Sequence, residues 1–243
     1  MLDEAFLHLN GIGPKKLEKI KELGIKNWDE FLERIAEISR GEKRKLKLQE
    51  SLFQSKFATE KQDLHYLAKV FHSKDKWRIL EYFEEDLSFF DIETDGLYNR
   101  ITVICCLHKQ QNYTFVRGEN LNEFLDFLDD VKLLVSFNGN SFDIPTILRH
   151  FHISKFPVPH IDLRWVLYQA GIKGSLKEIE KYFGITRDPD ISEIDGQEAV
   201  YLWFRYQEWG EQEAKQKLIK YCHADVNSLK ILTKEIISLN KKT

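Results

Sequence analysis

Asp91 and Glu93 stand two residues apart in Phe90-Asp91-Ile92-Glu93-Thr94. On a strand, positions i and i+2 face the same way, so both carboxylates project together beside an apolar run. Burying such charges costs about several kcal/mol each unless something pairs them. No basic residue lies nearby in sequence, and a cation is the natural partner. A second acid, Asp143, closes the loop Asn138-Gly139-Asn140-Ser141-Phe142-Asp143 after the apolar segment 131–137. That position is the C-terminal end of a strand, where α/β sheets bind ligands. The third segment is Tyr221-Cys222-His223-Ala224-Asp225. On a helix its Tyr and Asp are i and i+4 and share a face. Asp225 can then ligate a metal while Tyr221 reaches an attacking water. His223 falls on another face and is not assigned as the base, with a place near the site as the alternative. Each segment alone also has a structural reading: solvated acids at a strand end, a helix-capping loop, and a helix with a buried Tyr.

The chemistry requires elements that bring these segments together. Residues 87–92 and 113–117 read as strands, and the continuous apolar run 101–107 reads as a buried central strand. Their closeness in sequence suits an antiparallel meander. A helix over 121–128, a strand over 131–137 and a helix from about Asp143 follow. The remainder reads as helical over 162–170, 175–183, 196–209 and 211–239. The fold class is α/β: a mixed sheet flanked by helices on both faces. Ahead of it, residues 2–9 have helical spacing, and Asn10-Gly11-Ile12-Gly13-Pro14 makes a tight turn. Helices follow over 15–23 and after Asn27 as N-cap, with Gly41 as a stop. The expected organisation is a small all-α module at 1–40, a helical linker at 41–82 and the α/β domain at 83–243.

The chain has 243 residues, 42% hydrophobic and 31% charged, enough apolar material for a core. No apolar run approaches the ~20 residues of a membrane helix, and no signal peptide is visible at the start. The three cysteines, Cys105, Cys106 and Cys222, read as buried thiols of a reducing cytoplasm. The net charge of −3 is unevenly spread: residues 1–80 carry +4 and residues 81–243 carry −7. That suggests a basic arm joined to an acidic catalytic body.

The three acidic segments, in this order, resemble the Exo I, II and III motifs of the DEDD exonucleases of the RNase H-like fold. Matched residue by residue, Asp91 and Glu93 correspond to the first motif, Asp143 to the second and Asp225 to the third. Tyr221, four before Asp225, corresponds to the tyrosine subclass. The histidine subclass would carry His at position 220, which is Lys here. The stretch from Asp91 to Leu97 is also similar to proofreading domains of DNA polymerases, which implies that Thr94 and Leu97 hold the 3′-terminal nucleotide; Asn138 is a further substrate-contact candidate. A narrower resemblance, over about 78–236, is to the YprB-type family of RNase H-like exonucleases. It rests on Ser136-Phe137-Asn138-Gly139, His160-Ile161-Asp162-Leu163 and Gly174-Ser175-Leu176-Lys177 besides the first motif. That family often has Tyr-Asn where this chain has Tyr221-Cys222. Asp162 is an extra acid, read as a cap for the helix from 163, with a place near the metals as the alternative.

The resemblance implies a 3′→5′ exonuclease acting on nucleic acid that is single-stranded at the active site, DNA favoured and RNA possible. It implies two Mg²⁺ or Mn²⁺ ions roughly 3.5–4 Å apart, held by Asp91, Glu93, Asp143 and Asp225. Hard oxygen donors and the lack of a Cys/His cluster argue against zinc. Tyr221 would orient the attacking water, since a phenol of pKa about 10 is a poor base at neutral pH. The alternatives are a catalytically inactive nucleic-acid-binding protein of the same fold and an RNase H-like endonuclease. Leu9-Asn10-Gly11-Ile12-Gly13-Pro14-Lys15-Lys16 resembles the hairpin of a helix-hairpin-helix DNA-binding motif. Gly11 and Gly13 would let the backbone approach a phosphate, and Lys15 and Lys16 add charge. The alternative is a helical turn that packs on protein. The basic run 43–47 could extend the track, although a solvated helix face is its preferred reading.

Overall fold

The structure, a computed structural model, describes residues 1–242. The chain forms two compact units, Met1–Phe83 and a second beginning at Glu84.

The first unit is helical. Only Leu2–Glu4 form a 3-10 turn, where the spacing predicts a helix over 2–9. The Trp28 indole N–H donates to the Ala5 carbonyl at 2.7 Å, taking the acceptor a helix would have used for residue 9. Phe6, Leu9 and Ile12 instead follow one another through turns and are all buried. Helix α1 (Pro14–Glu22) starts with Pro14 in its first turn after Gly13 as N-cap. Helix α2 (Trp28–Glu33) is capped by Asn27, whose side chain accepts from the Asp29 and Glu30 amides at 3.1 and 3.0 Å. A short α3 (Ile35–Ile38) leads to Gly41, at φ 92°, and then α4 (Glu42–Glu60), α5 (Leu64–Val70) and α6 (Lys76–Tyr82). Residues 41–82 are helical and fall within this unit. On α4, Ser51 accepts from the Asn10 amide at 3.2 Å and Ser55 bonds His8 at 3.0 Å.

The second unit is built on a five-stranded sheet of order β3-β2-β1-β4-β5. Its strands are β1 (Leu87–Thr94), β2 (Ile101–His108), β3 (Gln111–Val116), β4 (Leu133–Ser136) and β5 (His160–Asp162). The first three form the expected antiparallel meander, and β4 and β5 add parallel to β1. Every residue of β2 is buried, as its continuous apolar run requires. Strand β5 lies where the sequence reads as loop and helix. Three residues are too few for periodicity to show, and the strand exists because β4 supplies a ladder partner at Leu134, Val135 and Ser136.

One face of the sheet carries Phe90, Ile92, Ile104, Cys106 and Leu134. They pack with Phe124 of α7 (Phe124–Phe127) and Ile147 of α8 (Asp143–His150). Helices α9 (Leu163–Gln169), α10 (Leu176–Tyr182) and α11 (Gly196–Trp209) follow, and α12 (Gln212–Lys241) packs against β1 and β2. The long helix buries Leu218, Tyr221, Cys222, Asp225, Val226 and Leu229. This is the RNase H-like arrangement, a mixed sheet flanked by helices. Among the described residues, no helix is long and apolar enough to cross a membrane.

Candidate active site

Alternation along β1 sets the first carboxylates. Phe90 and Ile92 enter the core, so Asp91 and Glu93 take the opposite face, beneath α12. A bulge between Glu93 and Thr94 follows directly. Both acids are half-buried. Burial holds the Asp91 carboxyl well above the usual range, and repulsion from Asp225, Asp143 and Glu93 adds to it. Glu93 is raised by burial and by Asp225, Cys105 and Asp143, while the Arg187 guanidinium opposes the shift. One ligand atom from each of Asp91, Glu93 and Cys222 lies within 4.8 Å of the others. Asp143 and Asp225 are outside that group but close enough to act on it electrostatically.

Asp143 reaches the cluster because β1 and β4 part. Their parallel pairing covers only Leu87–Phe89 of β1 and Leu133–Val135 of β4. Beyond it a loop turns back to start α8 at Asp143. Asp162 ties that loop down, accepting from the Asn138 and Asn140 amides at 2.8 and 3.1 Å. It also caps α9 through the Arg164 amide at 3.1 Å, as its sequence position predicts. Gly139 is required by contact: a Cβ there would lie 1.9 Å from Ser136 Oγ and 3.1 Å from His160 Nε2. Asp143 is 3% exposed, and its Oδ1 has no hydrogen-bond partner among the described residues. Burial raises its carboxyl to about 7, with Asp162 and Asp225 adding to the rise and the Asp143 and Ile92 amides opposing it.

Tyr221 and Asp225 are both buried on α12, one turn apart and facing β1. Burial lifts Asp225 to about 6, although Arg187 beside it pulls the other way. Burial also pushes the Tyr221 phenol above its ordinary value, and Asp225, Glu93 and Asp91 add to the shift. Arg187 is the residue that sequence reasoning missed. Its Nε and Nη2 form a fork on Glu180 at 2.8 and 2.7 Å, Nη2 also pairs with Asp225, and its guanidinium lies 5.3 Å from the Tyr221 ring centre. The Arg187 and Glu180 side chains are only 6% and 4% exposed. Nothing in Lys177-Glu178-Ile179-Glu180-Lys181 marks that acid as different from its solvated neighbours. Replacing Arg187 with glutamine leaves Glu180 buried without its counter-charge. The expected loss is about 3–5 kcal/mol, read as a lower urea midpoint.

The other predicted positions are distributed as follows. Thr94 is buried beside the bulge, and Leu97, 79% exposed, projects from the β1–β2 turn. That turn is anchored by Arg117, which binds Asp95 twice at 3.2 Å. Asn138, at φ 65°, accepts from Arg164 at 2.6 Å. His223 bonds Thr114 of β3 at 2.7 Å and also acts on the Cys105 thiol. Gly11, Gly13, Lys15 and Lys16 lie in the first unit. Gly11 takes a left-handed φ of 83°, Gly13 caps α1, Lys15 is exposed and Lys16 is half-buried.

Four buried or half-buried carboxyls and an oxygen without a donor form a set that suits a hard divalent cation. A family model, the RNase_H superfamily, matches residues 88–237. The chain belongs to the RNase H superfamily. Nucleases of the RNase H superfamily are hydrolytic enzymes that generally use divalent metals, and the matched span contains all three acidic segments. No curated protein matches the chain. Among solved structures, the family B DNA polymerase from the hyperthermophilic archaeon Pyrobaculum calidifontis is similar at a TM-score of 0.49 and 17% identity. The likeness covers 61% of this chain and 24% of the polymerase chain, so it spans about a quarter of that protein.

Proposed function

We propose that this chain is a metal-dependent 3′→5′ exonuclease that removes nucleotides from a single-stranded 3′ end, DNA in preference to RNA. The observation that carries the proposal is the mutual electrostatic reach of Asp91, Glu93, Asp143 and Asp225, four acids from three distant segments. Like charges gathered in a fold are relieved by protonation or by a bound cation, and a cation does so while keeping the carboxylates ionised. These four residues would hold two Mg²⁺ or Mn²⁺ ions. Such ions supply an activated water and stabilise the charge that develops on the leaving 3′ oxygen. Tyr221, its phenol raised, stays protonated at neutral pH and orients the water by a hydrogen bond. Leu97 is exposed and suited to wedge against the terminal base, with Thr94 and Asn138 as further substrate contacts. The product is a nucleoside 5′-monophosphate.

The test is a single-stranded oligonucleotide labelled at its 5′ end and incubated with Mg²⁺. A ladder that shortens one nucleotide at a time is the expected result. Internal cuts would make the chain an endonuclease, and binding without hydrolysis would make it a non-catalytic nucleic-acid-binding protein.

The hairpin at Gly11 to Lys16 is proposed as an affinity element of the helix-hairpin-helix kind. A cleft of about 620 Å³ beside it is lined by Gly11 and Lys16 and, from α4, by Arg44 and Lys47. Basic side chains on both walls suit a phosphate backbone. Changing Lys15 and Lys16 together to alanine should lower the slope of log affinity against log salt by about 1.5 on a long substrate, since each contact adds about 0.7–0.9. An unchanged slope would remove the hairpin from the binding surface.

A further inference from the structure

Cys222 follows the tyrosine of the third segment, and its side chain meets the first. Its thiol donates to the Asp91 carbonyl oxygen at 3.5 Å and to Asp91 Oδ2 at 3.6 Å. Its thiol is fully buried, and together with Asp91 and Glu93 it forms the group whose ligand atoms all lie within 4.8 Å. The spacing is informative. Zn–S of about 2.3 Å and Zn–O of about 2.1 Å at a tetrahedral angle place sulfur and oxygen about 3.6 Å apart. The hydrogen-bonded separation equals the edge of a tetrahedral site, so a cation that replaces the thiol proton fits between the two atoms without their moving apart. A second observation is that Asp143, which repels both Asp91 and Glu93, is buried with Oδ1 unpartnered among the described residues. Cys106 provides the contrast, because it faces the other side of the sheet among Phe90, Phe115 and Phe124.

We propose that Asp91, Glu93 and Cys222 form a site for a thiophilic divalent cation of the zinc or cobalt class, which competes there with the hard cation. Sequence reasoning argued against zinc from the hard oxygen donors and the lack of a Cys/His cluster; the fold brings Cys222 to Asp91 and Glu93. A soft thiolate binds zinc and cobalt strongly and magnesium hardly at all. Coordination transfers the thiol proton to buffer, so binding weakens in acid. The consequence is metal discrimination at the acidic cluster, with zinc expected to inhibit by occupying it. This inference rests on the reading of Asp91 and Glu93 as metal ligands.

The experiment uses the full chain, stripped of metal and reduced with a phosphine. Co²⁺ is titrated while the near-ultraviolet thiolate-to-cobalt charge-transfer band is followed, and Mn²⁺ and Zn²⁺ binding are measured by calorimetry. The wild type should develop the band, Cys106→Ser should keep it, and Cys222→Ser should lose it. In Cys222→Ser, Zn²⁺ affinity should fall by at least about tenfold relative to Mn²⁺. Cys222→Ala, with near-ultraviolet circular dichroism as the check on folding, serves if the serine variant fails to fold. A wild type that binds Mn²⁺ without developing the band, or a Cys222 variant that keeps it, overturns the thiol site and leaves the oxygen cluster intact. A wild type that binds neither Mn²⁺ nor Co²⁺ overturns both that site and the reading of the cluster as a metal centre.

Discussion

Replacing Asp91 with asparagine is expected to remove metal-dependent hydrolysis by about a thousandfold or more, while the metal-free protein becomes more stable. Metal ions contribute about several kcal/mol to the stabilisation of charge in such a reaction, and each 1.36 kcal/mol is about tenfold in rate. Asp91 is repelled by Asp225, Asp143 and Glu93. Its neutral isostere removes one charge from a site that must concentrate positive charge. The same change relieves repulsion when no cation is present. The two effects have opposite signs, so a general folding defect cannot imitate them. Hydrolysis by single turnover with excess Mg²⁺, and urea midpoints in chelator, provide the two readings. A variant that loses activity and stability together would count Asp91 as a structural residue.

The second expectation concerns pH. Asp143 titrates near 7 in the folded chain against an ordinary 3.8. Between those values the native state binds the proton that the unfolded state has released. This contribution to stability is therefore complete below about pH 4, and it is lost as pH rises through about 7. Asp225, lifted to about 6, acts in the same direction. In chelator, Asp143→Asn should exceed wild type in urea midpoint only modestly at pH 5, where much of this contribution remains. At pH 8 the variant should be more stable by on the order of a few kcal/mol. Mn²⁺ at pH 8 should restore the wild type and do much less for the variant. Midpoints that run parallel from pH 5 to pH 8 would show that Asp143 is not held under this electrostatic load.

Much of the site's scaffold can be read from local pattern. Alternation around Asp91 and Glu93 predicts their shared face, and the four-residue step predicts that Tyr221 and Asp225 lie together on α12. The apolar run of β2 declares a central strand. Other features depend on partners remote in the chain. Strand β5 exists because β4 offers it hydrogen bonds, and the expected helix over 2–9 is lost because Trp28 takes the Ala5 carbonyl. Cys222 meets Asp91 across 131 residues of sequence. Its burial is legible in its residue type, but its neighbour is not. Arg187 and Glu180 sit among ordinary surface charges in sequence, and only the fold removes them from water.

The Arg187 pair also makes the cluster asymmetric. Asp225 already has a counter-ion, and that counter-ion is tethered to the chain, so it cannot be dialysed or chelated away. A divalent ion that draws on Asp225 must share it with the guanidinium or displace it. Asp91 and Glu93 have no such ion pair among the described residues, although Arg187 also acts on Glu93 from a distance. The two sides of the cluster should therefore fill at different free-cation concentrations. A chain occupied only on the Asp91 side would retain charge and shape there, with the Asp225 side still closed by its own arginine. The free-cation concentration needed to fill the Asp225 side would then be set by the strength of one buried ion pair.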